Sequence, residues 1–203
     1  MSTFPSLPTN ATPNLIGIVS FSGFASIRLP LVPISDIQAV KMIGQISSEV
    51  VGGSSNIAAG IRCAARMLAN VSPNVTKTII LVADGEPNIE ADVLDSTIHS
   101  LRYAFIEIEC ISVGKAVGAR RLRTLCEDVG ARYWDAETYD RHSREIISTL
   151  WKSHRRQQTA SVLCVDCSQS MLSSFNSRMS RIDACQQAAF AHLAVARQLH
   201  NVQ

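Results

Sequence analysis

"VLCVDCSQSM", residues 162–171, decides how the rest of this chain is read. Its first half, continuous with Ser161, is an apolar run of the kind that forms a strand covered on both faces. The run ends at Asp166, and two hydroxyls, Ser168 and Ser170, follow at alternate positions before an alanine-rich segment over 181–200 with helical spacing. An acid and two serines just past the end of a buried strand stand where an α/β sheet gathers its functional side chains. The position in the chain is what needs explaining, because a strand that organises a site is here met last.

Upstream, strand and helix patterns alternate. "LIGIVSF" (15–21) is a second nearly continuous apolar run, and "ASIRLPLV" (25–32) alternates more and contains Pro30. That suits an edge strand, because proline donates nothing to a ladder. Ser22-Gly23 joins the two as a hairpin. Helical spacing runs from Ile34 to Ser47, "VGGSSN" (51–56) is a loop, and a helix from Asn56 to Ala69 puts Ile57, Ile61, Ala64, Ala65 and Leu68 on one face. "TKTIILVAD" (76–84) is a buried strand ending at Asp84. There follow a helix over 91–103, a strand over 105–112, a helix over 118–129 closed by Gly130, a short strand over 131–135 and a helix over about 138–152.

This order predicts an α/β fold, a three-layer, Rossmann-like, doubly wound sheet of six mostly parallel strands with one antiparallel edge strand. The expected sheet order is 25–32, 15–21, 161–166, 77–83, 105–112, 131–135. Winding then reverses between 161–166 and 77–83, so Asp166 and Asp84 meet at the switch point, where ligands bind.

Composition sets the outer bounds. A chain of 203 residues with 46% apolar residues and a formal charge of +2 suits one ordinary core and gives no sign of disorder or of a polyanion-binding surface. Residues 1–13, rich in proline, serine and threonine, are expected as a flexible tail and 14–203 as a single domain. The N-terminus has no charged region followed by an apolar one, and no apolar run approaches the ~20 residues of a membrane span. The expectation is a cytoplasmic protein away from membranes, its six cysteines reduced.

Three polar clusters fall past strand ends: Asp166-Ser168-Ser170, Ser54-Ser55 and Asp84. Carboxylates and hydroxyls are hard oxygen donors and suit Mg²⁺, Mn²⁺ or Ca²⁺. Each cluster alone also reads as a cap or a turn, an Asp before Ser as an Asx-turn and "GGSSN" as a capped loop. Their conjunction carries the metal reading.

These residues also carry a family resemblance. "VLCVDCSQSM" resembles the D-x-S-x-S strand end of von Willebrand factor type A domains, "GGSSNIAAGI" their G-G-T-T-N-x-x-x-G-[IL] loop and helix, and "IILVADGEPN" their strand followed by T-D-G-x-P-N. The resemblance spans about residues 14–200 and implies a metal-ion-dependent adhesion site. It assigns Asp166, Ser168 and Ser170 as ligands, directly or through water, puts Ser55 where a threonine usually binds the ion, and gives Asp84 a coordinated water. The implied ion is Mg²⁺, or Mn²⁺ or Ca²⁺, and its remaining position takes an Asp or Glu carboxylate from a partner protein. Gln169 replaces a glycine frequent between the two serines, and Ser55 lacks the methyl that restrains the side chain of threonine.

In that family the D-x-S-x-S strand comes first, so the resemblance implies a circular permutation, with family order starting at Ser161 and resuming at Asn14. "SHRRQQT" (154–160) is then the link. At roughly 3.3 Å per residue it spans about 23 Å, more than three or four strand spacings of about 4.8 Å. A closed monomer is the preferred topology, with a domain-swapped dimer and a slice across tandem domains as the other two.

The rival readings are thinner. A serine hydrolase acting through Ser168 or Ser170 lacks a G-x-S-x-G elbow, and the five histidines fall on helices or the link. "VGGSSN" has no phosphate-binding lysine. Cys164-x-x-Cys167 begins inside the strand, where no helix dipole activates a thiol. "ARRLRTL" (119–125) shares its helix with Glu127 and Asp128 and reads as a solvated face rather than a nucleic-acid patch. The expected function is a non-enzymatic, cation-dependent protein-binding module, with a metal-independent assembly scaffold as the alternative.

Overall fold

The computed structural model describes residues 13–48, 52–85, 90, 92–113, 117–135, 158–175 and 179–200. Its strands are β1 (Leu15–Phe21), β2 (Ala25–Pro33), β3 (Thr76–Ala83), β4 (Ile106–Ser112), β5 (Arg132–Asp135) and β6 (Thr159–Asp166). Its helices are α1 (Ile37–Gln45), α2 (Ile57–Ala69), α3 (Leu94–Tyr103), α4 (Val117–Val129) and α5 (Arg181–His200). The strands form one sheet in the order β2-β1-β6-β3-β4-β5, the order expected from the sequence. Among the described strands of this sheet, only the β1–β2 pair is antiparallel.

Strand β6 is central although it comes last, lying parallel between β1 and β3 with Phe21 opposite Asp166 and Val82 opposite Val165. All eight of its residues are buried. Alternation sends Leu163 and Val165 to the layer formed with Ala39 and Ile43 of α1 and Cys185, Ala189 and Leu193 of α5. Val162 and Cys164 go to the opposite layer, against Ile61 and Leu68 of α2, Ile98 of α3 and Leu122 of α4. Two helical layers on one sheet explain why the inner strands read as unbroken apolar runs.

Close approach shapes that second layer. A methyl at Gly60 would lie 2.5 Å from Phe21 Cδ1 and 3.0 Å from Cys164 Sγ, so glycine is what lets α2 settle onto β1 and β6. At the edge, Pro30 falls in a bulge: Ile16 pairs with Val32 and Ile18 with Leu29, leaving two residues of β2 opposite Gly17. Proline there removes no ladder bond.

Several boundaries differ from expectation for local reasons. Helix α1 starts at Ile37 rather than Ile34 because Asp36 caps it, its carboxylate accepting from Gln38 N–H at 2.8 Å. Phe105, expected in β4, lies before it with φ of 53°. Strand β6 begins at Thr159, so the last two residues of the expected link belong to the sheet. The tail over 1–12, the rest of the link over 154–157 and the helix expected over 138–152 lie outside the described residues. On α4, Arg120, Arg121 and Arg123 are exposed while Leu122 and Leu125 are buried, and Arg123 lies 4.9 Å from the Tyr133 ring centre.

Candidate functional site

The site is built on Asp166, the last residue of β6, which is fully buried. Because β6 is parallel to both neighbours, its carboxyl end shares a rim with the ends of β1 and β3. The loop before α2 is tied to that rim by three backbone bonds: Gly52 N–H to Cys167 O at 3.2 Å, Gln169 N–H to Gly53 O at 3.1 Å and Asn56 N–H to Ser22 O at 2.8 Å. Asn56 caps α2, its side-chain oxygen accepting from Ala59 N–H at 2.9 Å. This anchoring puts Ser55, also fully buried, where its hydroxyl donates to Asp166 Oδ2 at 2.8 Å.

The other carboxylate oxygen, Oδ1, accepts from the Ser168 N–H at 2.8 Å, so the D-x-S spacing does form an Asx-turn. That turn is also what aims the serines: Ser168 Oγ lies 3.0 Å from Ser170 Oγ. Asp84 follows β3 and is fully buried. The next residue, Gly85, has φ of +82°, and a methyl there would lie 2.3 Å from Gly118 O, so the Asp-Gly turn admits no side chain. The structure thus brings Asp166, Ser55, Ser168 and Ser170 into one hydrogen-bonded cluster, with Asp84 on the adjoining strand end.

Sequence reasoning missed Arg181. Its Nη1 donates to Asp84 Oδ2 at 2.9 Å, with the arginine and aspartate side chains 10% and 0% exposed, and lies 3.5 Å from Ser170 O. Helix α5 starts at this residue because Ser180 and Asp183 form a capping box, Asp183 Oδ2 accepting from Ser180 N–H at 3.1 Å and Asp183 N–H donating to Ser180 Oγ at 3.3 Å. A signal was present in "SRID" (180–183): a cation in the first turn of a helix opposes the macrodipole, so its placement needs a specific anionic partner.

Burial pushes the Asp166 carboxyl up to about 6, against the pull of the Ser168 and Ser55 donors and with the charge of Asp84 adding to the rise. The Cys164 thiol is pushed well up by burial, the opposite of an activated redox pair with Cys167. All six cysteines are buried, and none is in a disulfide. Among the described residues no histidine hydrogen-bonds Ser168 or Ser170; His99 is exposed on α3, and His192 is buried on α5.

The donor set can be tested against a hard divalent cation. The Ser168 and Ser170 hydroxyls, hydrogen-bonded at 3.0 Å, are hard oxygen donors that Mg²⁺ and Ca²⁺ accept as ligands. Ser55 uses its proton on Asp166 and keeps its lone pairs. No group of three or more His, Cys, Asp or Glu side chains converges among the described residues, and the rim donors are carboxylate and hydroxyl oxygens, which suit hard cations better than soft ones. Asp84 is the one member already paired with a cationic side chain.

The family model of the von Willebrand factor type A domain matches residues 6–146. The chain belongs to the von Willebrand factor type A family. The fold of this type A domain also resembles two solved structures. One is the conserved hypothetical protein BatB from Bacteroides thetaiotaomicron, with a TM-score of 0.56, 19% identity, and coverage of 70% of this chain and 81% of that one. The other is an aerotolerance-related membrane protein from Bacteroides fragilis NCTC 9343 with multiple mutations to serines, with a TM-score of 0.51, 18% identity, and coverage of 62% and 73%. No curated protein matches the sequence. Among the described residues of this type A domain, no helix is long and apolar enough to cross a membrane.

Proposed function

We propose that this type A domain is a non-enzymatic protein-interaction module whose contact face is the carboxyl-end rim of the sheet, and that a divalent cation, Mg²⁺ or Mn²⁺, held there accepts a carboxylate from the partner. Type A domains generally mediate contacts between proteins, which supports the first part. The observation that carries the second is the convergence of Asp166, Ser55, Ser168 and Ser170 on one point of the rim, with hydroxyl spacing of 3.0 Å. Asp166 and the three hydroxyls would hold the ion, Asp84 on the adjoining strand end would hold a water bound to it, and the ion would supply positive charge to the partner's acid.

The rim has the surface such contact needs. The β1–β2 hairpin lies at the same end as Asp166 and presents Phe24, 74% exposed, while the turn after Ser170 presents Leu172, 57% exposed. Apolar anchors beside a desolvated polar centre are the usual anatomy of an interface. We also read the chain order as a circular permutation of the family, supported by β6 coming last yet lying centrally and by the family model ending at residue 146. The buried thiols fit a reducing, cytoplasmic setting.

The test is calorimetric titration of Mn²⁺ and Mg²⁺ into the protein and into Asp166→Ala, with light scattering to fix the mass. Saturable binding lost in the variant is the expected result. A folded protein that binds neither ion, or an Asp166→Ala variant that binds as tightly as wild type, would refute the metal reading and leave the metal-independent scaffold. A sample that is dimer alone would replace the closed monomer with the swapped form.

A further inference from the structure

We propose that Arg181 is a tethered counter-ion that a divalent cation must displace from Asp84, so that this one side chain sets the cation affinity of the rim. The inference rests on the metal reading above and deepens it.

The geometry is that of a competitor already in place. Arg181 Nη1 lies 2.9 Å from Asp84 Oδ2, both side chains are withdrawn from water, and the same nitrogen lies 3.5 Å from the carbonyl of Ser170, whose hydroxyl belongs to the donor cluster. The side chain is not there for its hydrogen bonds as a whole: its Nε is buried without a partner among the described residues. Leaving a guanidinium donor unsatisfied in the interior is costly, so the attraction of Asp84 must outweigh it. The helix opposes the placement as well, since α5 directs its positive end at this residue.

Two cations cannot share Asp84 cheaply. A divalent charge and a guanidinium a few ångströms apart repel strongly where water is excluded. Cation binding therefore includes breaking the Arg181–Asp84 pair and moving Arg181 outward. Without the cation, Arg181 offsets one of two buried acids at the switch point, so the apo domain does not hold Asp84 and Asp166 side by side with no positive partner. The same rim without this arginine would bind the cation more tightly and lose more stability when stripped of it.

The experiment is Mn²⁺ titration, by calorimetry and by the electron paramagnetic resonance signal of free Mn²⁺, on wild type, Asp166→Ala, Arg181→Met and Arg181→Lys. Thermal unfolding with and without Mn²⁺ is the second readout. The expected results are a dissociation constant at least tenfold lower in Arg181→Met than in wild type, and a lower melting temperature in chelator that Mn²⁺ raises more than it raises the wild type's. Should Arg181→Met fail to fold in chelator, Arg181→Lys, a cation with a single-point donor, is expected to bind several-fold more tightly than wild type. Equal or weaker Mn²⁺ binding in the Arg181 variants, with wild-type binding still abolished by Asp166→Ala, would overturn the competition while leaving the metal site standing. Absence of saturable Mn²⁺ binding in wild type and in the Arg181 variants would overturn both.

Discussion

Two buried groups titrate in opposite directions, and substituting His192 separates them. Burial pushes the His192 imidazole down from 6.5 to about 4, and burial, with the charge of Asp84 adding and the Ser168 and Ser55 donors opposing, pushes the Asp166 carboxyl up from 3.8 to about 6. A depressed histidine contributes stability that is present above 6.5 and lost as pH falls through 4. A raised aspartate does the reverse, contributing stability present below 3.8 and lost as pH rises through 6. At about 1.4 kcal/mol per pH unit, acidification from about pH 7 to 4.5 costs about 2 kcal/mol through the histidine and returns about 2 kcal/mol through the aspartate. In wild type the two contributions nearly cancel. His192→Leu removes the unsatisfied Nε2 from a layer it shares with Ala188, Ala189 and Leu193, and leaves the aspartate contribution without its counterweight. Urea unfolding in chelator, compared within each protein at pH 7 and 4.5, should show His192→Leu about 2 kcal/mol more favoured by acid than wild type, and Asp166→Asn about 2 kcal/mol less favoured. A His192→Leu variant with the wild-type pH dependence would refute the assignment of the acid sensitivity to this histidine.

Other substitutions read the same packing. Ser55→Ala removes a buried donor to Asp166 Oδ2, so it should destabilise the domain by about 1–3 kcal/mol and move the carboxyl further up, as chemical denaturation and carboxyl NMR titration would report. Gly60→Ala drives a methyl to 2.5 Å from Phe21 and should lower stability by about 1–3 kcal/mol, measured by the urea midpoint at unchanged slope. A chain stopped after Asp135 lacks β6 and should show no cooperative unfolding by calorimetry, since β1 and β3 are joined in the sheet through that strand.

Most of the sheet was legible because its signals are local and redundant. Strands buried on both faces have to be apolar throughout, so β1, β3 and β6 announced themselves, and Pro30 marked the edge. The clustering of Asp166, Ser55, Ser168 and Ser170 was legible for a related reason: a D-x-S turn and a capped loop each encode their own geometry within a few residues. What stayed hidden depends on distant partners. Arg181 meets an acid 97 residues away, and nothing adjacent in sequence names that acid. His192 is buried by packing of α5 onto the sheet, in an alanine-rich stretch whose periodicity does not say how deep it sits. Helix and strand ends moved where a single cap or a single left-handed residue decided them, as at Asp36 and Phe105.

The late position of β6 affects assembly more than geometry. Ser55 and Asp166 are 111 residues apart in sequence, yet they meet because loop and strand end are pinned to the same rim, and that adjacency follows from sheet order and parallel register rather than from chain order. A site defined by strand ends therefore survives rearrangement of the connections. The cost falls on folding. Before β6 is in place, β1–β2 and β3–β4–β5 each present an apolar, unpaired edge, and the pairs that close the site are among the most distant in the chain. Long-range parallel pairing is slow because loop closure precedes its reward, and open edges invite pairing with other chains. Those two edges would accept β6 from the same molecule or from a neighbour with identical register, so a swapped dimer, which we propose as the rival of the closed monomer, would be favoured by high protein concentration during folding and would leave the chemistry of the rim unchanged.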